Sequence, residues 1–253
     1  MADGACAIDP ALLRARPRIV FVELTSRCNV RCVYCPVSLP EYKGEDLDID
    51  IDELARMLCR SHPMEVQISG HGETTMLPSW TRVANKLLEQ GLPLTLTTNL
   101  AKRMSDEEID VLTRLRTLKI SVDTADADLL ARLRRGVRLE IVEETMRRVI
   151  ETCRDRRRDL PFLQISCTVS DVVVPGLCDL VRWSKAHGAH GIGFVNIVRH
   201  EYPPGTIAYR HPSEVDPAGA LAELRASRKL AEELGLDVQM VPGLEASMEV
   251  ACR

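Results

Sequence analysis

Three cysteines, Cys28, Cys32 and Cys35, form the pattern Cys-x3-Cys-x2-Cys in the run SRCNVRCVYCP. Thiolates so close in sequence can converge on one soft metal centre. A structural zinc ion asks for four protein ligands, and the nearest further candidates, Cys59 and His62, lie well downstream. A [4Fe–4S] cluster on three thiolates leaves one iron open to another ligand. Spacing alone leaves three readings: such a cluster, a zinc site completed from afar, or three unrelated thiols. The remaining cysteines, Cys6, Cys59, Cys153, Cys167, Cys178 and Cys252, are scattered. Those between 59 and 178 sit in apolar stretches and read as core. Nine cysteines in a reducing compartment point to metal binding or catalysis rather than disulfides.

The elements that position this loop follow from apolar periodicity. Strands are predicted at Arg18–Thr25, Glu65–Gly70, Pro93–Asn99, Thr117–Thr124, Phe162–Ser170 and Gly191–Ile197. Helices are predicted at Ile51–Arg60, Trp80–Gln90, Asp106–Arg116, Glu140–Arg154 and Leu177–His187. A last helix, Pro217–Leu234, follows a loop around Tyr202–Gly205. Ser105 with Glu108 three residues on is a capping-box pattern. Strict strand–helix alternation implies parallel strands with right-handed crossovers. Six units are too few for an eight-fold barrel, so a doubly wound sheet and a partial barrel both remain open.

The predicted C-terminal strand ends gather the polar residues. The cysteine loop follows the first strand, Gly70, Gly72 and Glu73 the second, Asn99 the third, Asp123 the fourth and Asn196 the sixth. In parallel α/β folds ligands bind at that edge. Composition sets the outer bounds. The chain has 253 residues, 45% hydrophobic and 28% charged, with net charge −4. That balance gives no electrostatic case for nucleic acid or an anionic membrane. No apolar run reaches the ~20 residues of a membrane span, and the N-terminus lacks the apolar stretch of a signal peptide. A cytoplasmic protein is expected.

The segment ELTSRCNVRCVYCP resembles the signature of the radical S-adenosylmethionine (radical SAM) superfamily, and further matches run from Arg18 to Ile197. The resemblance implies a partial (β/α)6 barrel of the TIM-like type, a [4Fe–4S] cluster on Cys28, Cys32 and Cys35, and S-adenosylmethionine on the open iron. It implies that Tyr34 lies near the adenine. Gly70, Gly72 and Glu73 match the family's Gly-Gly-Glu motif, interrupted by His71, and would meet the methionine ammonium. Asn99 stands where relatives have Thr-Asn-Gly, although Leu100 replaces the glycine. Ser121 and Asp123 match polar positions near the cofactor, and Arg134-Arg135-Gly136 resembles a carboxylate-binding feature in which Arg135 is favoured. In the fifth predicted strand Gln164, Ser166 and Thr168 alternate with apolar residues, as suits a polar lumen, with Ser166 a contact. Phe194 and Val195 would form an apolar bed for adenine.

The implied chemistry is reductive cleavage of S-adenosylmethionine to a 5′-deoxyadenosyl radical that abstracts hydrogen from substrate. The expected substrate is a small polar metabolite of natural-product or cofactor biosynthesis. The alternatives are a peptide maturase with the same chemistry and a zinc-stabilised binding module without it. Glu23 and His71 are candidates for proton transfer. An external one-electron donor such as flavodoxin or ferredoxin is implied. The chain divides into an N-terminal extension (1–17), a barrel (18–200) and a C-terminal segment (201–253). That last segment resembles the start of a SPASM or twitch auxiliary-cluster domain, with Cys252 as its first ligand in a longer chain.

Overall fold

The computed structural model describes residues 17–197, 209–241 and 243–252. Cys6, residues 1–16 and the Tyr202–Gly205 loop lie outside the described residues. The described strands are β1 (Ile19–Phe21), β2 (Arg31–Cys32), β3 (Glu65–Gln67), β4 (Leu94–Thr98), β5 (Thr117–Ser121), β6 (Arg134–Arg135), β7 (Phe162–Val169), β8 (Gly191–Asn196) and β9 (Asp237–Met240). The helices are α1 (Ile51–Ser61), α2 (Trp80–Glu89), α3 (Asp106–Leu112), α4 (Ala127–Leu133), α5 (Leu139–Asp155), α6 (Leu177–Ala186), α7 (Pro217–Glu233) and α8 (Leu244–Ala251).

Seven strands form one parallel sheet in the order β1-β3-β4-β5-β7-β8-β9. The order follows the chain without reversing. A doubly wound sheet would reverse at a switch point, so the winding is that of a partial barrel. Its curl shows in the lining of one cavity. Phe21, Gln67, Thr97, Ser121, Ser166 and Val195, from six strands, wall a single space of about 360 Å³. Laid flat, six strands span roughly 24 Å, too wide to converge on such a space.

Side-chain alternation produces the two faces. Val66, Leu94, Leu96, Leu118, Ile120, Leu163, Ile165, Ile192 and Phe194 are fully buried on the outer face in the core shared with the helices. The inner face carries Gln67, Thr97, Lys119, Ser121, Gln164, Ser166 and Thr168, in register across neighbouring strands. Helix starts are fixed locally. Asp50 accepts from the Glu53 N–H at α1, and Ser105 and Glu108 complete the predicted capping box at α3.

Five elements were not anticipated: α4, β2, β6, β9 and α8. Helix α4 leads into a two-residue ribbon, β6 against β2, which ties Cys32 to Arg134. Strand β9 pairs with β8, and α8 packs on α7. Asp237–Met240 therefore belongs to the barrel sheet, where the sequence reading placed no strand. Among the described residues no helix is long and apolar enough to cross a membrane.

Candidate cofactor and active site

The loop after β1 is folded by close backbone approach. The Glu73 N–H donates to the Arg27 carbonyl at 2.8 Å. A Cβ on Gly72 would fall 2.3 Å from the Thr25 carbonyl oxygen and 2.4 Å from that of Arg27. One on Gly70 would fall 2.2 Å from Glu23 Oε1. Gly72 is thus demanded by the packing of the β3 exit on the backbone of the cysteine loop, whereas the neighbour of Gly70 is the movable Glu23 side chain. Glu23 also accepts from the His71 N–H, with the imidazole Nδ1 at 3.5 Å.

Within the loop, the Cys35 N–H and the Ser38 hydroxyl donate to the Cys32 carbonyl, at 3.1 and 2.7 Å. Arg31 donates to the Cys28 carbonyl at 2.7 Å. Cys28, Cys32 and Cys35 all face the cavity and none is in a disulfide. Burial raises all three thiol pKa values, that of Cys32 to about 12, with Arg134 opposing the rise there. Two donors approach the sulfurs: Asn99 Nδ2 lies 3.8 Å from Cys28 Sγ, and Arg134 Nη1 lies 4.0 Å from Cys32 Sγ. Both would favour thiolate over thiol.

Three cavity-facing thiols are a donor set that suits a [4Fe–4S] cluster with one iron left open to another ligand.

Beneath the loop lies a buried polar network. Arg134 Nε and Nη2 donate to the two Asp123 oxygens, each at 2.8 Å, in a bidentate pair. The Tyr34 hydroxyl and the Thr168 N–H also donate to Asp123, at 2.5 and 2.9 Å. The Arg134 guanidinium sits 5.5 Å from the Tyr34 ring centroid, and Tyr209 meets that ring edge-on. Burial opposes the Arg134 charge, yet Asp123, Tyr34 and Cys32 outweigh it and hold the guanidinium protonated. A second network fixes the rim. Glu73 Oε1 accepts from the Thr75 N–H and from the hydroxyls of Thr75 and Thr98, and its Oε2 accepts from the Asn99 N–H at 2.8 Å.

Of the residues singled out in the sequence, Cys28, Cys32, Cys35, Tyr34, Gly70, Gly72, Glu73, Asn99, Ser121, Ser166 and Val195 line this one cavity. Asp123 does not: it is fully buried and engaged by Arg134, Tyr34 and Thr168. Arg135 is exposed and off the cavity, which Arg134 lines instead. Adjacent residues of a strand point to opposite faces, so the ribbon register decides between them. Phe194 is fully buried on the outer face, leaving Val195 alone at the cavity. Asn196 Oδ1 accepts from His211 Nε2, 2.7 Å away. Leu100 sits at φ +47 with its side chain wholly buried. Burial of the leucine offsets a left-handed backbone that costs about 1–2 kcal/mol. The sequence reading missed Phe21, Gln67, Ser69 and Thr97, all at the cavity. The alternation in EVQIS and TLTTN was the available signal.

The model of the radical SAM superfamily matches residues 22–175, more than half of the chain. The GTP 3′,8-cyclase of Rhodococcus opacus (strain B4) is 28% identical over 177 residues, covering 66% of this chain and 48% of the cyclase. That of Paracoccus denitrificans (strain Pd 1222) is 28% identical over 194 residues, covering 62% and 54%. Streptococcus suis SuiB bound to S-adenosylmethionine superposes with a TM-score of 0.68 at 18% identity, over 89% of this chain and 50% of SuiB. SuiB bound to its precursor peptide SuiA gives 0.67 at 16%, over 92% and 51%. The chain spans about half the length of these relatives.

Proposed function

The chain belongs to the radical SAM superfamily, and from that premise we propose that it is an enzyme acting on a small polar metabolite. In this reading Cys28, Cys32 and Cys35 hold a [4Fe–4S] cluster, and S-adenosylmethionine occupies the adjoining cavity. When bound, that pair supplies one-electron reductive cleavage of the cofactor and hydrogen-atom abstraction from substrate. The protein's own task is to position and shield. Asn99 and Arg134 direct N–H donors at the Cys28 and Cys32 sulfurs. Gly72 lets the β3 exit pack against the cysteine loop, and Gly70 leaves room for the Glu23 carboxylate beside it. Ser121 and Ser166 offer hydroxyls to polar groups of the cofactor, and Tyr34 and Val195 give flat or apolar surface for its adenine. Residues 18–200 act as the catalytic core and 201–253 extend it. Cys252, exposed beyond α8, would serve an auxiliary cluster in a longer chain. An external flavodoxin- or ferredoxin-type reductant delivers the electron.

The observation that carries this reading is the meeting of three cavity-facing cysteines with donors aimed at two of their sulfurs. A second reading, a peptide as substrate, is favoured by the likeness to the peptide-bound form of SuiB. The metabolite reading draws on the cyclases, which match at higher identity.

Anaerobic reconstitution with iron and sulfide, followed by metal analysis, tests the assignment. About four irons per chain are expected, falling to background in Cys32→Ala. A colourless protein carrying one zinc would contradict it.

A further inference from the structure

Below the cavity the barrel lumen holds a cation that no role above uses. Lys119 lies in β5 on the face of Ser121, opposite Thr97 on one side and Gln164 on the other. It stands two positions before Ser121, so its Cα lies about 6–7 Å deeper along the strand. Among the described residues its ammonium has one partner, the neutral Gln67 Oε1 at 3.3 Å. Two buried side-chain oxygens on the same face have no partner. Gln164, only 5% exposed, donates through Nε2 to Gln239 and leaves its Oε1 without a partner. Thr95, fully buried on β4, leaves its hydroxyl unpaired. Beside Gln164, β8 presents Gly191 and Gly193, which add no side chain to the lumen.

Buried polar groups in proteins are nearly always satisfied, so the Gln164 and Thr95 oxygens stand out beside Lys119, a half-buried cation whose one partner among the described residues is neutral. Their convergence marks a place where a ligand completes the bonding. We propose that this layer is the floor of the substrate site. Lys119 binds an anionic oxygen group of the substrate, a carboxylate or a phosphate, and Gln164 Oε1 accepts a hydrogen bond from an N–H or O–H of the same molecule. The substrate is therefore a small anionic metabolite with a donor next to its charged group. This deepens the function proposed above and rests on it for the reaction, though not for the binding.

The test is calorimetric titration of the anaerobically reconstituted chain with inorganic pyrophosphate and, separately, succinate. The two probes distinguish phosphate from carboxylate recognition. One of them is expected to bind at one per chain, with affinity falling as salt rises. Lys119→Met should weaken that binding at least tenfold and Lys119→Arg should largely retain it. S-adenosylmethionine binding should change less than twofold in either variant. If Lys119→Met does not fold, Lys119→Gln against Lys119→Arg gives the same contrast. The proposal is overturned if neither anion binds the unaltered chain, or if removing the charge leaves affinity unchanged. It is also overturned if S-adenosylmethionine affinity falls in step, since Lys119 would then belong to the cofactor. A chain that takes up no iron but binds the anion through Lys119 would sink the functional reading and keep the lumen site.

Discussion

Asp123 accepts from three residues at once, and the ion pair with Arg134 at its centre is shut off from solvent. Removing one partner of such a pair strands the other's charge, typically at about 3–5 kcal/mol. Arg134→Met should lower the unfolding free energy by that order, read from denaturant unfolding, and adding Asp123→Asn should recover part of the loss. A double variant that loses the sum of the two single-variant losses would show that the pair is not coupled. Gly72→Ala addresses the loop instead. Its methyl would sit inside contact distance of two carbonyl oxygens that are backbone and cannot rotate away. The expected outcome is a folded chain, by circular dichroism, with at least fivefold less iron after reconstitution. Full iron loading would mean that the loop has slack. At this scale the sequence was most informative where spacing carries the chemistry, as in the three cysteines. It was least informative where register decides. Arg134 and Arg135 are chemically identical in the sequence, and only the pairing of Cys32 with Arg134 tells which turns inward.

Among the elements, α3 shows how one side chain can join several. Glu108 closes the α3 capping box through the Ser105 N–H and accepts from Trp80 Nε1 of α2 and from Lys102 Nζ. Partial burial opposes its ionisation, but the bonds from Lys102, Ser105 and Trp80 outweigh that and hold its pKa below the usual 4.5. A carboxylate depressed on folding stabilises above its unfolded value, and the contribution fades as pH falls through the folded one. Glu108→Gln should therefore cost about 1 kcal/mol at pH 7 and less at pH 3, as read from urea midpoints. A penalty that is constant across that range would contradict the account. The capping box was legible because its two residues sit three apart. Strand β9 was not: four residues with an exposed–intermediate alternation give too short a pattern to separate from loop. Helix α4 was obscured in the same way, its seven residues running directly into the β6 ribbon.

The whole molecule is an incomplete barrel with an apolar shell and a polar lumen. Strand–helix alternation announced parallel strands, yet the choice between an open doubly wound sheet and a partial barrel needed strand order, which no local pattern encodes. The polar lumen was half visible: Gln164, Ser166 and Thr168 alternate over a long strand, while Gln67, Thr97 and Lys119 lie in shorter ones. What the fold accomplishes is convergence, bringing loops and lumen residues from six strands onto one cavity beside three thiols. The measurement that tests this most directly is 5′-deoxyadenosine formation by the reconstituted chain given dithionite and S-adenosylmethionine, with Cys32→Ala as control. The account predicts product from the intact chain and none above background from the variant. Four irons bound with no deoxyadenosine formed, or equal product from both proteins, would contradict it.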